Sequence, residues 1–182
     1  MHLSGLHQLF SRRALLWTAI LFGLSAVYLG VLVYEQNRAE QRLSRLREND
    51  PAGYLETIRG RESFAQYMHD VAELRGYDEW RARVPRFLAG RWALFRSEQR
   101  VGPGFRPSTC YPAVLIEDGG LHVYADTERR YDARYRIDGG DVLVELDGEP
   151  VLRIHVMGLE RRIRNIRLDL PEQGLRYGYR CG

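Results

Sequence analysis

The sequence predicts a single N-terminal transmembrane helix followed by an α+β domain, in which short helices precede an antiparallel meander of about eight strands, with closure into a barrel as one outcome. Three observations carry this. Residues 14–34 form an uncharged apolar run, residues 50–88 carry helical periodicity, and from Arg91 onward the apolar period changes to two.

The run from Ala14 to Tyr34, ALLWTAILFGLSAVYLGVLVY, matches the ~20 residues needed to cross a hydrocarbon core. Trp17 near its start and Tyr28 and Tyr34 toward its end suit the interfaces, where amphipathic rings partition. A cleaved signal peptide would have a shorter apolar region ending in small residues, whereas YEQNRAEQ follows here. Arg12 and Arg13 precede the span and favour a cytoplasmic N-terminus. Arg38, Arg42, Arg45 and Arg47 follow it and pull the other way. The two cysteines favour an oxidising compartment for the rest of the chain. The expectation is therefore a single-pass inner-membrane protein with its C-terminal domain in the periplasm.

Beyond the span, Ala39, Leu43 and Leu46 form a narrow stripe on a polar helix. Asp50-Pro51 reads as a cap followed by proline at the first helical position. Tyr54, Leu55 and Ile58 give the next helix an apolar side, and Gly60 is placed to end it. In Ser63 to Arg75, Phe64, Tyr67, Met68, Val71 and Leu74 share one face, Asp70 falls elsewhere, and Gly76 suits the left-handed position after the end. Asp78 is placed to start a further turn carrying Trp80 and Val84 before Pro85. The chain divides into a tail (1–13), an anchor contacting the lipid bilayer (14–34), a polar helical linker (35–49), short amphipathic helices (50–88) and a β-rich domain (89–182).

Tyr131, Ala133, Tyr135 and Ile137 alternate with Arg130, Asp132, Arg134 and Arg136, the pattern of a half-buried strand. Val142, Val144 and Leu146, then Leu152, Ile154 and Val156, then Ile166, Leu168 and Leu170 repeat it. Asp118-Gly119-Gly120, Asp138-Gly139-Gly140 and Asp147-Gly148 are hairpin chemistry. No helix-length segment separates these strands, so neighbours in sequence should pair antiparallel. Cys110 follows the first strand and Cys181 the last. If those strands pair, a Cys110–Cys181 disulfide closes the meander; an open sheet over the helices is the alternative.

Gly90-Arg91-Trp92 at the first strand, with a short helical turn before it, resembles the G-x-W start of the lipocalin-like (calycin) barrels. The resemblance covers roughly Phe87 to Gly182. It implies that Arg176 or Arg180 on the last strand packs over the tryptophan. It also implies binding of a small apolar ligand or a partner, without catalysis.

The histidines His2, His7, His69, His122 and His155 have no H-x-H or H-E-x-x-H spacing, so no metal or other cofactor is expected. Ser97, Ser108 and Cys110 lie in no nucleophile elbow, and Gly102-Pro103-Gly104 lacks the lysine and helix of a phosphate loop. The formal charge of +3 is too small to argue for nucleic acid. All 27 basic residues are arginine, which weakens any argument from arginine clusters. The strongest cluster is Arg130, Arg134 and Arg136 on one strand face with Arg153, Arg162 and Arg164 on others, a candidate surface for an anion or partner. The expected role is non-catalytic: an accessory protein engaging another envelope protein. An immunity protein against a secreted toxin and a barrel holding a small apolar ligand are the alternatives.

Overall fold

The structure is a computed structural model that describes residues 12–59, 63–102, 105–147, 150–159, 162–171 and 173–182. Three helices, α1 (Arg12–Asn49), α2 (Pro51–Ile58) and α3 (Phe64–Arg75), precede eight strands. These are β1 (Gly90–Phe95), β2 (Ala113–Glu117), β3 (Gly120–Tyr124), β4 (Arg129–Asp138), β5 (Asp141–Leu146), β6 (Leu152–Leu159), β7 (Arg162–Leu170) and β8 (Gly174–Arg180). The chain separates into two compact units, residues 1–51 and residues 52–182.

The first unit is a single helix running unbroken from the apolar segment into the polar one. Its apolar stretch has a mean hydropathy of 1.8, with none of that window buried. Phe22 is 77% exposed and Leu24 63%, surface that water does not favour. Residues 35–49 extend the helix by about 22 Å at 1.5 Å per residue.

In the second unit the strands close in sequence order into an antiparallel barrel, β1 pairing with both β2 and β8. The open-sheet alternative is excluded. Period-two patterning sends Trp92, Val114, Ile116, Leu121, Tyr135, Ile154 and Ile166 inward, each without exposed surface. A side chain with no accessible area has no water-sized void against it. The interior of this eight-stranded barrel is thus filled by its own side chains, one of the two states such a barrel adopts. Gly178 sits inside too, because a Cβ there would stand 2.7 Å from Cγ1 of Ile166.

The second half of β4 runs past the end of its pairing with β3. Residues 77–84 cover that edge. Arg81 and Tyr135 exchange two backbone hydrogen bonds (2.9 and 2.7 Å), the amide of Ile137 donates to Tyr77 O, and Gly119 N donates to Ala82 O. This corrects the further helical turn expected after Asp78: an unpaired strand edge competes successfully for the same backbone groups. Inside the barrel the Tyr135 hydroxyl donates to the carbonyls of Glu117 and Gly120, fixing the β2–β3 turn. Burial and the nearby Glu117 and Asp118 carboxylates push its pKa up.

Helix α3 has the ends its sequence specifies. Ser63 Oγ accepts from Gln66 N, and Gly76 takes the left-handed conformation at φ 69°. Asp70 is the exception to the helix-face reading, being only 2% exposed; it accepts a hydrogen bond from Tyr54 of α2 at 3.1 Å, which ties the two helices. The expected stop at Gly60 lies outside the described residues.

Cys110 and Cys181 form the disulfide, with a Cα–Cα distance of 6.0 Å at a sequence separation of 71. Beside it, residues 96–102 and 105–112 lie over the outer face of β1 and β8. Phe95 and Phe105 pack edge-on to Tyr179, and Gln99 N donates to the Tyr179 hydroxyl at 2.7 Å. Replacing both cysteines by serine is expected to cost on the order of 4 kcal/mol in the chain-entropy description. Denaturant unfolding of oxidised, reduced and double-serine protein measures this, and equal stability of all three would refute it.

Candidate functional site

The arginines nominated from the sequence separate into different situations. Arg134 stands directly opposite Glu145 in the β4–β5 register and pairs with it at 3.2 Å, a favourable cross-strand match. Arg136 lies over the Trp80 ring at 5.0 Å. Arg153 donates to Asp141 at 2.6 Å, and the other oxygen of Asp141 meets Nδ1 of His155 at 2.5 Å. Arg130 is opposite His122 in register, and His122 faces Glu117 at 3.1 Å. The side chains of Arg162 and Arg164 lie outside the described residues. The outer strand face is therefore laced with acids that offset several of its arginines.

Burial works to raise the Asp141 carboxyl, but the hydrogen bonds from Arg153 and His155 outweigh it and hold the pKa below its ordinary value. Among the described residues, no group of three or more His, Cys, Asp and Glu is placed to hold a metal ion.

A different feature stands at one end of the barrel. There α2, α3, segment 76–89 and the end of β8 enclose an open cleft of about 980 Å³. Its floor is apolar: Leu55, Phe64, Val71, Val84 and Phe87 line it, with Phe64 edge-on to Phe87 at 5.7 Å. Its rim is basic, formed by Arg59, Arg75, Arg81, Arg83, Arg86 and Arg180, with Glu56 and Asp118 as the carboxylates. Burial pushes the Tyr67 phenol up, opposed first by Arg59; Glu56 adds to the rise, and Arg75 and Arg86 oppose it more weakly. At the other side, burial and then Asp118 raise Tyr77, opposed by Arg83, Arg75 and Arg81.

Two of these arginines are fixed in place. Arg81 Nε donates to Gly76 O at 2.8 Å, and a Cβ at Gly76 would sit 2.5 Å from Arg81 Nη2, so the helix-ending glycine also makes room for the guanidinium. Arg180 stacks on the Trp92 ring at 4.9 Å and donates to the carbonyls of Phe87 (2.7 Å) and Ala89 (3.1 Å). Trp92 in turn donates through Nε1 to Leu88 O at 2.9 Å. Burial, together with the neighbouring Arg59, draws the Arg180 pKa down. Of the two arginines the resemblance allowed, Arg180 is the one that covers the tryptophan.

Sequence reasoning missed this cleft because its residues were assigned to core-packing helices. The available signal was the density of arginine at 75, 81, 83 and 86 among aromatic residues.

No family model, curated protein or solved structure matches the chain. The closed eight-stranded antiparallel barrel is consistent with a lipocalin-like architecture, and the likeness stands at that level.

Replacing Arg180 by leucine strands two carbonyls and is expected to lower stability by about 1–3 kcal/mol. Arg180→Lys should recover little, because an ammonium lacks the planar stacking surface; full recovery by lysine in denaturant unfolding would show that charge alone matters there. A carboxyl with a lowered folded-state pKa stabilises the fold above its unfolded value, near 3.9 for Asp. That contribution is lost as pH falls through the folded-state value. Stability should accordingly fall more steeply into the acid range in the wild type than in Asp141→Asn, and identical pH profiles would exclude the effect.

Proposed function

We propose that the protein is a membrane-anchored, non-catalytic accessory protein of the bacterial cell envelope. Helix α1 spans the inner membrane with its N-terminus in the cytoplasm, and the periplasmic barrel engages another envelope protein. The observation that carries this reading is a barrel with a filled interior and an open, charged cleft at one end.

Each part has its support. The exposed apolar surface of α1 is stable in lipid and costly in water. The Cys110–Cys181 bridge fits an oxidising compartment. Bulky inward side chains such as Trp92, Tyr135 and Ile154 have no accessible area, which favours an outer binding surface over a ligand held within. On the outer face, Arg134–Glu145 and the Asp141 network resemble a paired protein surface more than a set of activated groups.

The test is to express the full-length tagged protein in its own host, cross-link in the intact membrane and identify what co-purifies. The expected result is one stoichiometric envelope protein, from a chain that resists carbonate extraction and whose barrel is digested by protease in spheroplasts. A captured secreted toxin would instead make it an immunity protein. Release by carbonate would overturn the anchor, protection from protease the orientation, and absence of any cross-linked protein the accessory role.

A further inference from the structure

We infer that the arginine-rimmed cleft docks an acidic segment of the partner protein, one carrying a bulky apolar side chain among its carboxylates. This rests on the reading that the barrel engages another envelope protein, and it names the chemistry of the contact.

The first argument is charge imbalance. Among the described residues, six arginines and two carboxylates line the cleft, while the whole chain has 27 basic and 24 acidic residues. An arginine-only composition explains why the bases are arginine. It does not explain why they outnumber acids threefold at one place. The two carboxylates contact their arginines only loosely, Glu56 with Arg59 at 3.9 Å and Asp118 with Arg83 at 4.0 Å. One Asp118 oxygen is also engaged by Val84 N at 2.9 Å. The outer strand face has closer arginine–carboxylate pairs at 2.6 and 3.2 Å.

The second argument is shape and spread. The lining arginines come from separate elements: Arg59 follows α2, Arg75 ends α3, Arg81, Arg83 and Arg86 lie on segment 76–89, and Arg180 ends β8. Positive charge is thus distributed along the cleft rather than focused on one point. Guanidinium forks match carboxylates geometrically, and a distributed row of them suits a chain bearing several carboxylates better than a single head group. The apolar floor asks for an apolar side chain between those acids. At about 980 Å³ the cleft has room for a few side chains.

The experiment uses the full-length chain in nanodiscs of zwitterionic phosphatidylcholine. The probe is a fluorescent hexapeptide, Glu-Asp-Leu-Trp-Glu-Asp, followed by polarisation. It is compared with its amide counterpart, Gln-Asn-Leu-Trp-Gln-Asn, and with Glu-Asp-Gly-Gly-Glu-Asp. The first peptide should bind saturably and weaken with salt, and the other two should bind at least about tenfold less tightly. The triple variant Arg59→Gln, Arg75→Gln, Arg86→Gln should lose about tenfold or more, and the strand-face variant Arg130→Gln, Arg134→Gln should stay within about twofold. Circular dichroism checks folding, and the single variants Arg75→Gln and Arg86→Gln decide the matter if the triple variant does not fold.

Equal binding of the amide peptide, equal loss in the strand-face variant, or displacement of the peptide by phosphatidylglycerol vesicles would each overturn the inference, the last assigning the cleft to lipid head groups. Repeating the membrane cross-linking with the cleft variant separates the two readings. A partner still captured by that variant would remove the cleft inference and leave the accessory role. Specific peptide binding with no partner captured by the wild type would do the reverse.

Discussion

The pairing of β1 with β8 is the constraint on which the rest of the soluble unit depends. It joins the two end strands of a meander into a barrel, leaving the second half of β4 as the edge that residues 77–84 cover. It sets Trp92 opposite Arg180 and Ala93 opposite Tyr179. From the first register pair follows the stack of guanidinium on indole, with Arg180 reaching back to the carbonyls of Phe87 and Ala89. From the second follows the seat for residues 96–102 and 105–112 on Tyr179, and beside it the approach of Cys110 to Cys181. Neither arrangement is local in sequence, so both exist only once the first and last strands have met.

Closure also decides where binding chemistry is available. An eight-stranded barrel is narrow, and bulky inward residues such as Trp92 and Tyr135 use the space. The exposed charge lies outside, on the strand faces and at the covered end. Cross-strand register places Glu145 against Arg134 and Asp141 against His155, and those acids temper the strand face. At the barrel end, among the described residues, Arg59 after α2, Arg75 of α3, the arginines of segment 76–89 and Arg180 of β8 collect around the cleft with Glu56 and Asp118 as its carboxylates.

Much of this was legible in the sequence because it rests on short-range rules. The uncharged run, the Ser63 and Gly76 ends of α3, the period of two and the turns at Gly119 and Gly139 each involve neighbours a few residues apart. The turn expected at Asp147-Gly148 lies outside the described residues. The disulfide was legible as a conditional, since the two cysteines meet if the first and last strands pair. Two things were not. Residues 77–84 have a composition compatible with a helical turn, and only the unfilled edge of β4 made the extended form better. The cleft draws Arg59 and Arg180 to one place from positions far apart in the chain, and no periodicity relates them. The strand arginines looked equally basic on paper. Their neutralisation depends on register, in which a shift of one residue would exchange every facing partner.

The Cys110–Cys181 bridge changes what the last strand means mechanically. In a barrel held only by its ladder, tension on the C-terminal strand is borne by hydrogen bonds that open one after another. Here tension applied beyond Cys181 passes first into a covalent bond, and through it to the loop between β1 and β2. That path lets load cross the barrel without unzipping its ladder bond by bond.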